Sequence, residues 1–473
     1  TPVIDRYLGR LVDAAAELGL PAPRVMQSNG GIAAAATVRE HAVTTALSGP
    51  AAGVVGASLF EPDGAPGVVS LDMGGTSCDV GLVRDGEVAE TTSADVGDHP
   101  VRVPMVDVET VGAGGGSIAW VDDGGALRVG PRSAGADPGP ACYDRGGTEP
   151  TVTDAALVLG YLDPAAELGQ DVALSPDRAR EALTELAAAA DLAGEADSSD
   201  AADGADETAL DDLTVAAAGV LEVANATMTG AVRTVTVERG HDPRDFALVA
   251  FGGAGPMHAA ALADRLGIER VLVPRANGVL SALGLLAADE RHDAARTHRV
   301  ALADVDPAAV ASRLTELGAR VREATTLDAE ASLTRRAECR YVGQSYDLPV
   351  AVPDRSDPDP VEARFHTVHE RERGFALPEE PVELVTLRVT ATVETEPPTI
   401  SHEGTGEARR GSREAVFDGE RRPTPVFRRA GLAPGVTLEG PAIVEGGEST
   451  VVVPPAWDAT VDDAGTIAME VAG

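Results

Sequence analysis

The sequence predicts an α/β fold that passes into a small α+β domain and then a β-rich C-terminal module, and three stretches predict it. Residues 245–289, DFALVAFGGAGPMHAAALADRLGIERVLVPRANGVLSALGLLAAD, run apolar strand, glycine turn, helix, strand and helix, the alternation of a parallel sheet with helical crossovers. Residues 67–88, GVVSLDMGGTSCDVGLVRDGEV, set two apolar runs around Gly74-Gly75 and close on Asp85-Gly86, a β-hairpin pattern. Beyond residue 400 the chain breaks into short β runs, separated by Gly and Pro about every eight to twelve residues.

In chain order, VIDRYLGRLVDAAAELGL follows Thr1-Pro2 and has the apolar period of an amphipathic helix ending at Gly19. PRVMQSNGGI predicts a short strand and a turn, and VREHAVTTALSGPAAGVVGASLF a helical pair broken near Gly49-Pro50. The hairpin strands are expected over Val68 to Leu71 and Val80 to Val83. Residues 103–147 hold enough glycine between short apolar runs to be read as a loop region that wraps something. TVTDAALVLGYLDP predicts a helix capped by Thr153 or Asp154, and SPDRAREALTELAAAA one capped by Ser175 with Pro176 in its first turn. Residues 191–212, DLAGEADSSDAADGADETALDD, form an acidic low-complexity insert, expected as a solvated disordered loop. LTVAAAGVLEVANATMTGAVRTVTVERG resumes as a long buried helix. From about residue 300, a helix over Pro307 to Thr325, two strands around RRAECRYVGQSYDLPVAV, a helix over Pro360 to Gly374 and the strand LVTLRVTATVE suggest an α+β sandwich.

A chain of 473 residues with 44% apolar content has material for two to four domains with real cores. Its longest apolar runs, such as VLSALGLLAA at 279–288, stop short of the roughly 18 residues of a membrane span, and no basic leader with a cleavage site opens it. No membrane attachment and a cytoplasmic location are therefore expected. The 76 acidic residues outnumber 38 basic ones, all of them arginine, for a net charge of −38. Such a surface repels nucleic acid and acidic membranes, and it repels itself at low ionic strength. The expectation is a protein adapted to concentrated salt, of the kind halophilic archaea make. Cys78, Cys142 and Cys339 form no C-x-x-C pair, which suits a reducing cytosol and argues against structural zinc. Cys78 in the hairpin is the nearest to a reactive thiol, with a small residue filling space beside the turn as the favoured reading.

The hairpin carries chemistry at its tip. Adjacent glycines let the backbone approach a ligand, so the amides of Gly74, Gly75, Thr76 and Ser77 can converge on an anion. Asp72 and Asp79 are hard oxygen ligands suited to Mg²⁺, directly or through its waters, and the hydroxyls of Thr76 and Ser77 suit a phosphate. The plain alternative is a surface hairpin whose Asp and Gly merely make the turn. In LVAFGGAGPMHAAALADRLG, Gly252, Gly253 and Gly255 stand between a strand and a helix opened by Pro256, a place for a phosphate or for a purine on bare backbone. Tight packing of helix on strand explains the same glycines. His258 is a ligand or base candidate, although a helical histidine near a turn is the simpler reading. His366 and His369, one turn apart in FHTVHERERGF, read as a helix face and not as a metal site.

Two glycine turns about 180 residues apart in one α/β region fit the nucleotide cleft of the actin, Hsp70 and sugar-kinase superfamily. Within it, LDMGGTSCDV, GAGGGSIAWVDDGGALRVGPRSAGADPGPACYDRGGTEPTVTDAALVLGYL and AFGGAGPMHA resemble the hydantoinase A/5-oxoprolinase family, which includes ATP-dependent N-methylhydantoinase and the ATP-binding subunits of acetone carboxylase. CRYVGQSYDLPV and EGPAIVEGGESTVVVPPAW extend the resemblance over nearly the whole chain.

The resemblance implies that Asp72, Gly74, Gly75, Thr76 and Asp79 form a second phosphate motif, that Gly252, Gly253 and Gly255 form an adenosine motif, and that the loop at Gly112 to Gly116, with Gly114 and Gly115 as nucleotide contacts, and the SAGADPGP segment line the cleft. Asp72 and Asp79 would be catalytic and would hold Mg²⁺, and Ser77 would join the nucleotide contacts. Family members use ATP to phosphorylate an amide or carbonyl oxygen, giving an imidyl or acyl phosphate that water opens. The implied function is ATP-dependent hydrolysis of a cyclic amide, a hydantoin or 5-oxoproline ring, with a B-type subunit as partner. The alternatives are an acetone-type carboxylase subunit and a non-catalytic nucleotide-binding or assembly subunit. A first D-x-G-G-T hairpin, which the family places in an N-terminal lobe, is not found here. The chain is therefore expected to supply one wall of the cleft and to turn over only with the other. The expected segments are 1–65, a remnant joining that lobe; 66–298, the actin-like ATP-binding domain; 299–400, the sandwich; and 401–473, the β-rich module.

Overall fold

The computed structural model describes residues 2–62, 64–92, 94–96, 99–165, 173–190, 211–326, 330–353, 358–402, 404 and 408–472. Contacts group the chain into two compact units, each assembled from three stretches: Thr1–Val55, Glu90–Asp107 and Gly284–Pro398 in one, and Gly56–Ala89, Val108–Leu283 and Thr399–Gly473 in the other.

The first unit is built on a six-stranded sheet in the order Arg24–Met26, Ile32–Ala34, Glu290–Ala301, Val382–Val393, Ser332–Tyr341, Leu348–Ala351. Strand alternation gives the sheet one apolar face, where Ala337, Cys339, Leu387 and Val389 meet Leu314, Val321 and Phe365 of the helices Pro307–Ala324 and Pro358–Arg373. On alternate positions the charges pair with each other, as Arg388 does with Glu338 at 2.6 Å. Helix Pro307–Ala324 begins as its sequence dictates, with Asp306 accepting from the Ala308 amide and Pro307 at its start. His369 is fully buried; its Nδ1–H donates to the Phe375 carbonyl at 2.7 Å and its Nε2 accepts from Gln344 at 3.0 Å, while the Tyr341 hydroxyl meets His366 Nδ1 at 2.7 Å. Both histidines thus serve the helix face. Among the described residues, no group of three or more His, Cys, Asp or Glu is gathered for a metal.

The opening helix Pro2–Glu17 forms as expected, with Gly19 in the left-handed conformation at φ 69° just beyond its end. The helical break expected near Gly49-Pro50 lies earlier. Ala42–Thr45 is a 3₁₀ turn, Leu47 takes φ 59°, and Gly49 and Pro50 fall in the first turn of helix Ser48–Ser58. Proline is tolerated in a first turn because its missing amide has no helical partner there, so it opens this helix and does not break one.

The second unit centres on a nine-stranded sheet running Val108–Val111, Cys78–Arg84, Gly67–Met73, Ala247–Phe251, Arg270–Val273, Ile467–Val471, Trp457–Val461, Thr437–Glu439, with Glu87–Val88 paired to Cys78–Arg84. Ala247–Phe251 is parallel to both Gly67–Met73 and Arg270–Val273. It is buried along its whole length, which explains why ALVAF is continuously apolar and does not alternate. The 67–88 hairpin has the predicted form, with Asp85 at φ 54° and Gly86 at φ 77° turning the chain into Glu87–Val88. Cys78 is fully buried in the core, and burial pushes its thiol pKa well up, so it fills space as expected.

Helix Asp212–Val235 covers this sheet. It belongs to a helical stretch long and apolar enough to cross a bilayer, yet Val220, Ala224, Met228 and Val232 are spent on the core. Its N-cap is Asp211, whose carboxylate accepts from the Thr214 amide at 2.8 Å. The last two residues of the acidic insert are therefore part of a helix start; residues 191–210 lie outside the described residues. Ser175 caps Pro176–Ala189 as predicted. The cap of Val152–Val158 is Thr151, not Thr153 or Asp154: Asp154 stands three residues later and completes a reciprocal capping box, which the pattern T-x-x-D allows. Asp154 is fully buried and accepts from the Thr151 amide and hydroxyl and from the Cys142 amide at 2.7 to 2.9 Å. Four C-terminal strands, Arg409–Phe417, Glu420–Arg428, Ala442–Glu445 and Thr450–Val453, form a sheet of their own.

Candidate functional site

In the parallel pairing of Gly67–Met73 with Ala247–Phe251, Phe251 stands opposite Asp72. That register brings the C-terminal ends of the two strands level, so the 74–77 and 252–255 turns leave the sheet side by side. The turn after Arg270–Val273 joins them, with the Gly252 amide donating to the Asn277 carbonyl at 2.9 Å. Loops gathered beyond the carboxyl ends of parallel strands are where open α/β sheets bind ligands.

The 74–77 turn is closed by the Gly74 amide donating to the Ser77 carbonyl at 3.0 Å, so Gly74 holds the turn and does not offer its N–H outward. The amides of Gly75 and Thr76 donate to no acceptor among the described residues, and a side chain placed on Gly75 would meet nothing within 4 Å. Behind the turn stands the 112–116 loop: the Gly115 amide donates to the Gly74 carbonyl at 3.0 Å and the Gly116 amide to the Gly75 carbonyl at 2.6 Å. At Gly114 a Cβ would lie 2.5 Å from the Thr76 nitrogen, so the loop seats against the turn only with glycine there. Thr153 fixes the loop in turn, its hydroxyl donating to the Gly115 carbonyl at 2.8 Å. The SAGADPGP segment lies behind this loop, with the Ala134 amide donating to the Gly116 carbonyl at 2.8 Å and the Ser133 hydroxyl 3.3 Å from that of Thr76.

Asp72 and Asp79 face each other across the hairpin, next to the turn. Like charges directly opposite on one sheet face repel. Burial and then the Asp79 charge push the Asp72 pKa up to about 6, against a hydrogen bond from Ser281 that lowers it. Burial also raises Asp79, opposed by the Thr110 hydroxyl donating to it at 2.5 Å. A partly desolvated dicarboxylate beside open backbone amides suits a divalent cation that bridges to an anion.

The second glycine turn divides its labour. Gly252 has φ 78°, and a Cβ on it would come within 2.5 Å of both the Asp72 carboxylate and the Met73 carbonyl. Gly255 is buried with a Cβ position 3.2 Å from the Leu71 carbonyl, so these two glycines serve close packing, while Gly253 lines the cleft. Helix Gly255–Leu266 begins one residue before Pro256. His258 is buried with its Nδ1–H donating to Asn225 Oδ1 at 2.7 Å; burial lowers its pKa to about 4 and keeps it neutral. It does not line the cleft.

The cleft itself has a volume of about 720 Å³. Gly74, Gly75, Gly115 and Thr153 line it at the hairpin turn, Gly253, Ala254 and Met257 along the second glycine turn, and Tyr143, Leu162 and Leu174 supply apolar wall. Asp163, Ala165, Arg410, Arg428 and Ala430 add to the wall, and the tip Glu445–Thr450 between two C-terminal strands, which sequence reasoning left unassigned, completes it. The tip is held by Asn277, whose side-chain amide donates to the Ser449 hydroxyl, and Asn277 is held by Arg429 at 2.9 Å. Arg429 also donates to the carbonyls of Val273 and Pro274 at 2.7 Å, and burial lowers its pKa to about 10. E-G-G-E-S reads locally as a hairpin turn, and only the long-range Asn277 and Arg429 contacts make it a cleft wall.

Residues 1–294 match the family model described as hydantoinase/oxoprolinase, and residues 308–470 that of the hydantoinase/oxoprolinase C-terminal domain. The crystal structure of an ATP-dependent caprolactamase from Pseudomonas jessenii is similar with a TM-score of 0.86 and 35% identity, over 100% of this chain and 69% of that one. A nucleotide-free acetone carboxylase structure is similar with a TM-score of 0.75 and 27% identity, over 99% of this chain and 67% of that one. 5-oxoprolinase 1 of Arabidopsis thaliana is 34% identical, over 100% of this chain and 38% of its own length.

Proposed function

The chain belongs to the hydantoinase/oxoprolinase family, and from that premise we propose that it is the ATP-binding A-type subunit of an enzyme that opens a cyclic amide. The observation that carries the reading is the convergence of the two glycine turns on the Asp72–Asp79 pair, with the Gly75 and Thr76 amides unspent and open space beside Gly75. Such an arrangement suits the actin-like nucleotide-binding lobe that this reading assigns to it.

An unstrained amide resists water at neutral pH because its nitrogen leaves poorly. ATP with Mg²⁺, when bound, supplies the phosphoryl group that makes the amide carbon a better electrophile. The residues present fit that pair. The Gly75 and Thr76 amides would take phosphate oxygens and Asp72 with Asp79 would hold Mg²⁺ through its waters, since two carboxylates alone do not fill its coordination shell. Gly253 and the apolar wall of Tyr143, Leu162 and Met257 would take the nucleoside. A lactam substrate is favoured by the name of the caprolactamase, and a B-type partner and a cytoplasmic, salt-rich setting complete the reading. Three buried free thiols suit the reducing interior.

Calorimetry with ATP and Mg²⁺ in molar KCl tests it, on the chain and on an Asp72→Ala, Gly252→Val double variant. Binding that disappears in the variant supports the site; no binding by the unaltered chain, or equal binding by the variant, overturns it. The likeness to acetone carboxylase favours a second reading, in which the same site activates bicarbonate or a ketone. Product analysis of the assembled enzyme with and without bicarbonate separates the two. If Asp72→Ala leaves the activity of the assembled complex intact, the chain is a nucleotide-binding or assembly subunit without catalytic duty.

A further inference from the structure

Glu448 stands at the tip of the Glu445–Thr450 turn, and its carboxylate occupies the space that a side chain on residue 278 would fill. It is exposed and lines the cleft, and among the described residues it has no hydrogen-bond or ion-pair partner. The turn that carries it is nonetheless fixed. The Gly446 amide donates to the Ser449 carbonyl at 2.9 Å and closes the turn, and Ser449 is tied through Asn277 to Arg429. The carboxylate packs over residue 278, next to Asn277, whose carbonyl accepts from the Gly252 amide at 2.9 Å, so it stands beside the second glycine turn.

An unpaired carboxylate repels phosphate and accepts only from donors. On a nucleotide laid with its phosphates toward Gly75, the donors left for this wall are the ribose hydroxyls and the exocyclic amine of the base. A vicinal diol offers two O–H groups to one carboxylate, the neutral counterpart of the bidentate pairs that carboxylates form elsewhere. Resting on the nucleotide reading above, the geometry points to Glu448 as the residue that reads the ribose, accepting from its 2′- and 3′-hydroxyls and selecting ribonucleotides over 2′-deoxyribonucleotides. The selecting wall is then supplied by the C-terminal strands and not by either glycine turn.

The experiment is calorimetric binding of ATP, 2′-deoxy-ATP and inosine triphosphate, with Mg²⁺ in molar KCl, to the full chain and to Glu448→Ala. The Glu448 side chain is exposed, so its truncation leaves the fold in place, and the melting temperature verifies this. The expected result is deoxy-ATP bound about tenfold or more weakly than ATP, the loss of one hydrogen bond to a charged group. That gap closes in Glu448→Ala, while the ratio of ATP to inosine triphosphate stays the same. Equal affinity of the unaltered chain for ATP and deoxy-ATP overturns the inference alone. So does a gap that survives in Glu448→Ala, or a variant that loses the inosine discrimination instead. No binding of any nucleotide to the unaltered chain overturns the nucleotide reading and the inference together.

Discussion

Replacing Asp72 by asparagine tests whether the hairpin stores electrostatic strain. The folded chain raises the Asp72 pKa from 3.8 to about 6, chiefly by burial and then by the Asp79 charge. At ~1.4 kcal/mol for each pH unit, that rise sets a ceiling of about 3 kcal/mol on the cost of ionising this group in the fold. The sign follows from the proton count: between the two values the folded state holds more protons than the unfolded one. Stability is therefore full below the unfolded value near 3.8 and is lost as pH rises through about 6. Asparagine has the shape of the protonated acid and no proton to lose, so the Asp72→Asn variant escapes this loss. Urea unfolding in chelator at fixed salt, from about pH 4 to 8, is expected to show no difference at the acid end and a variant about 1–3 kcal/mol more stable above about pH 7. Mg²⁺ then narrows the gap by stabilising the wild-type carboxylates. A variant equally or less stable at about pH 8 without Mg²⁺ refutes the strain and with it the physical case for a cation between Asp72 and Asp79.

Three further outcomes are expected. Gly252→Val combines a left-handed φ with a Cβ 2.5 Å from the Asp72 carboxylate, and denaturant unfolding is expected to show a loss of at least about 2 kcal/mol; a change under about 0.5 kcal/mol refutes the close approach. Asp154→Ala strands the buried amide of Cys142 and the Thr151 cap, and a loss of about 3 kcal/mol or more is expected, whereas a near-neutral result means that water reaches the site. With a net charge of −38, the melting temperature is expected to climb as KCl rises from dilute to molar, and a fall over that range ends the halophilic reading.

Much of the site is legible in the sequence because its signals are local. Gly74-Gly75 and Asp85-Gly86 punctuate apolar runs, and F-G-G-A-G-P marks a strand giving way to a helix, so both turns can be placed without a third dimension. Capping is local too, and the Thr151 cap escapes notice only because Asp154, the other half of its box, is itself a capping residue type. What sequence does not show depends on register and on distant partners. That Gly74's amide closes its own turn, that Gly252 and Gly255 serve packing while Gly253 lines the cleft, and that Glu445–Thr450 forms a wall all follow from pairings that the folded backbone makes. Leu47 at φ 59° illustrates the same limit: nothing in a leucine announces a left-handed turn.

The order of strands in the nine-stranded sheet has a consequence for the newborn chain. Arg270–Val273 lies between Ala247–Phe251 and Ile467–Val471, and the second of these neighbours is made roughly 190 residues later. At about 5–20 residues per second, that strand waits some 10–40 s on the ribosome with one row of backbone amides and carbonyls open. For that interval the half-built sheet presents unpaired backbone groups ready to pair with another strand, and the excess of acidic residues in the chain sets one copy against the next by like-charge repulsion.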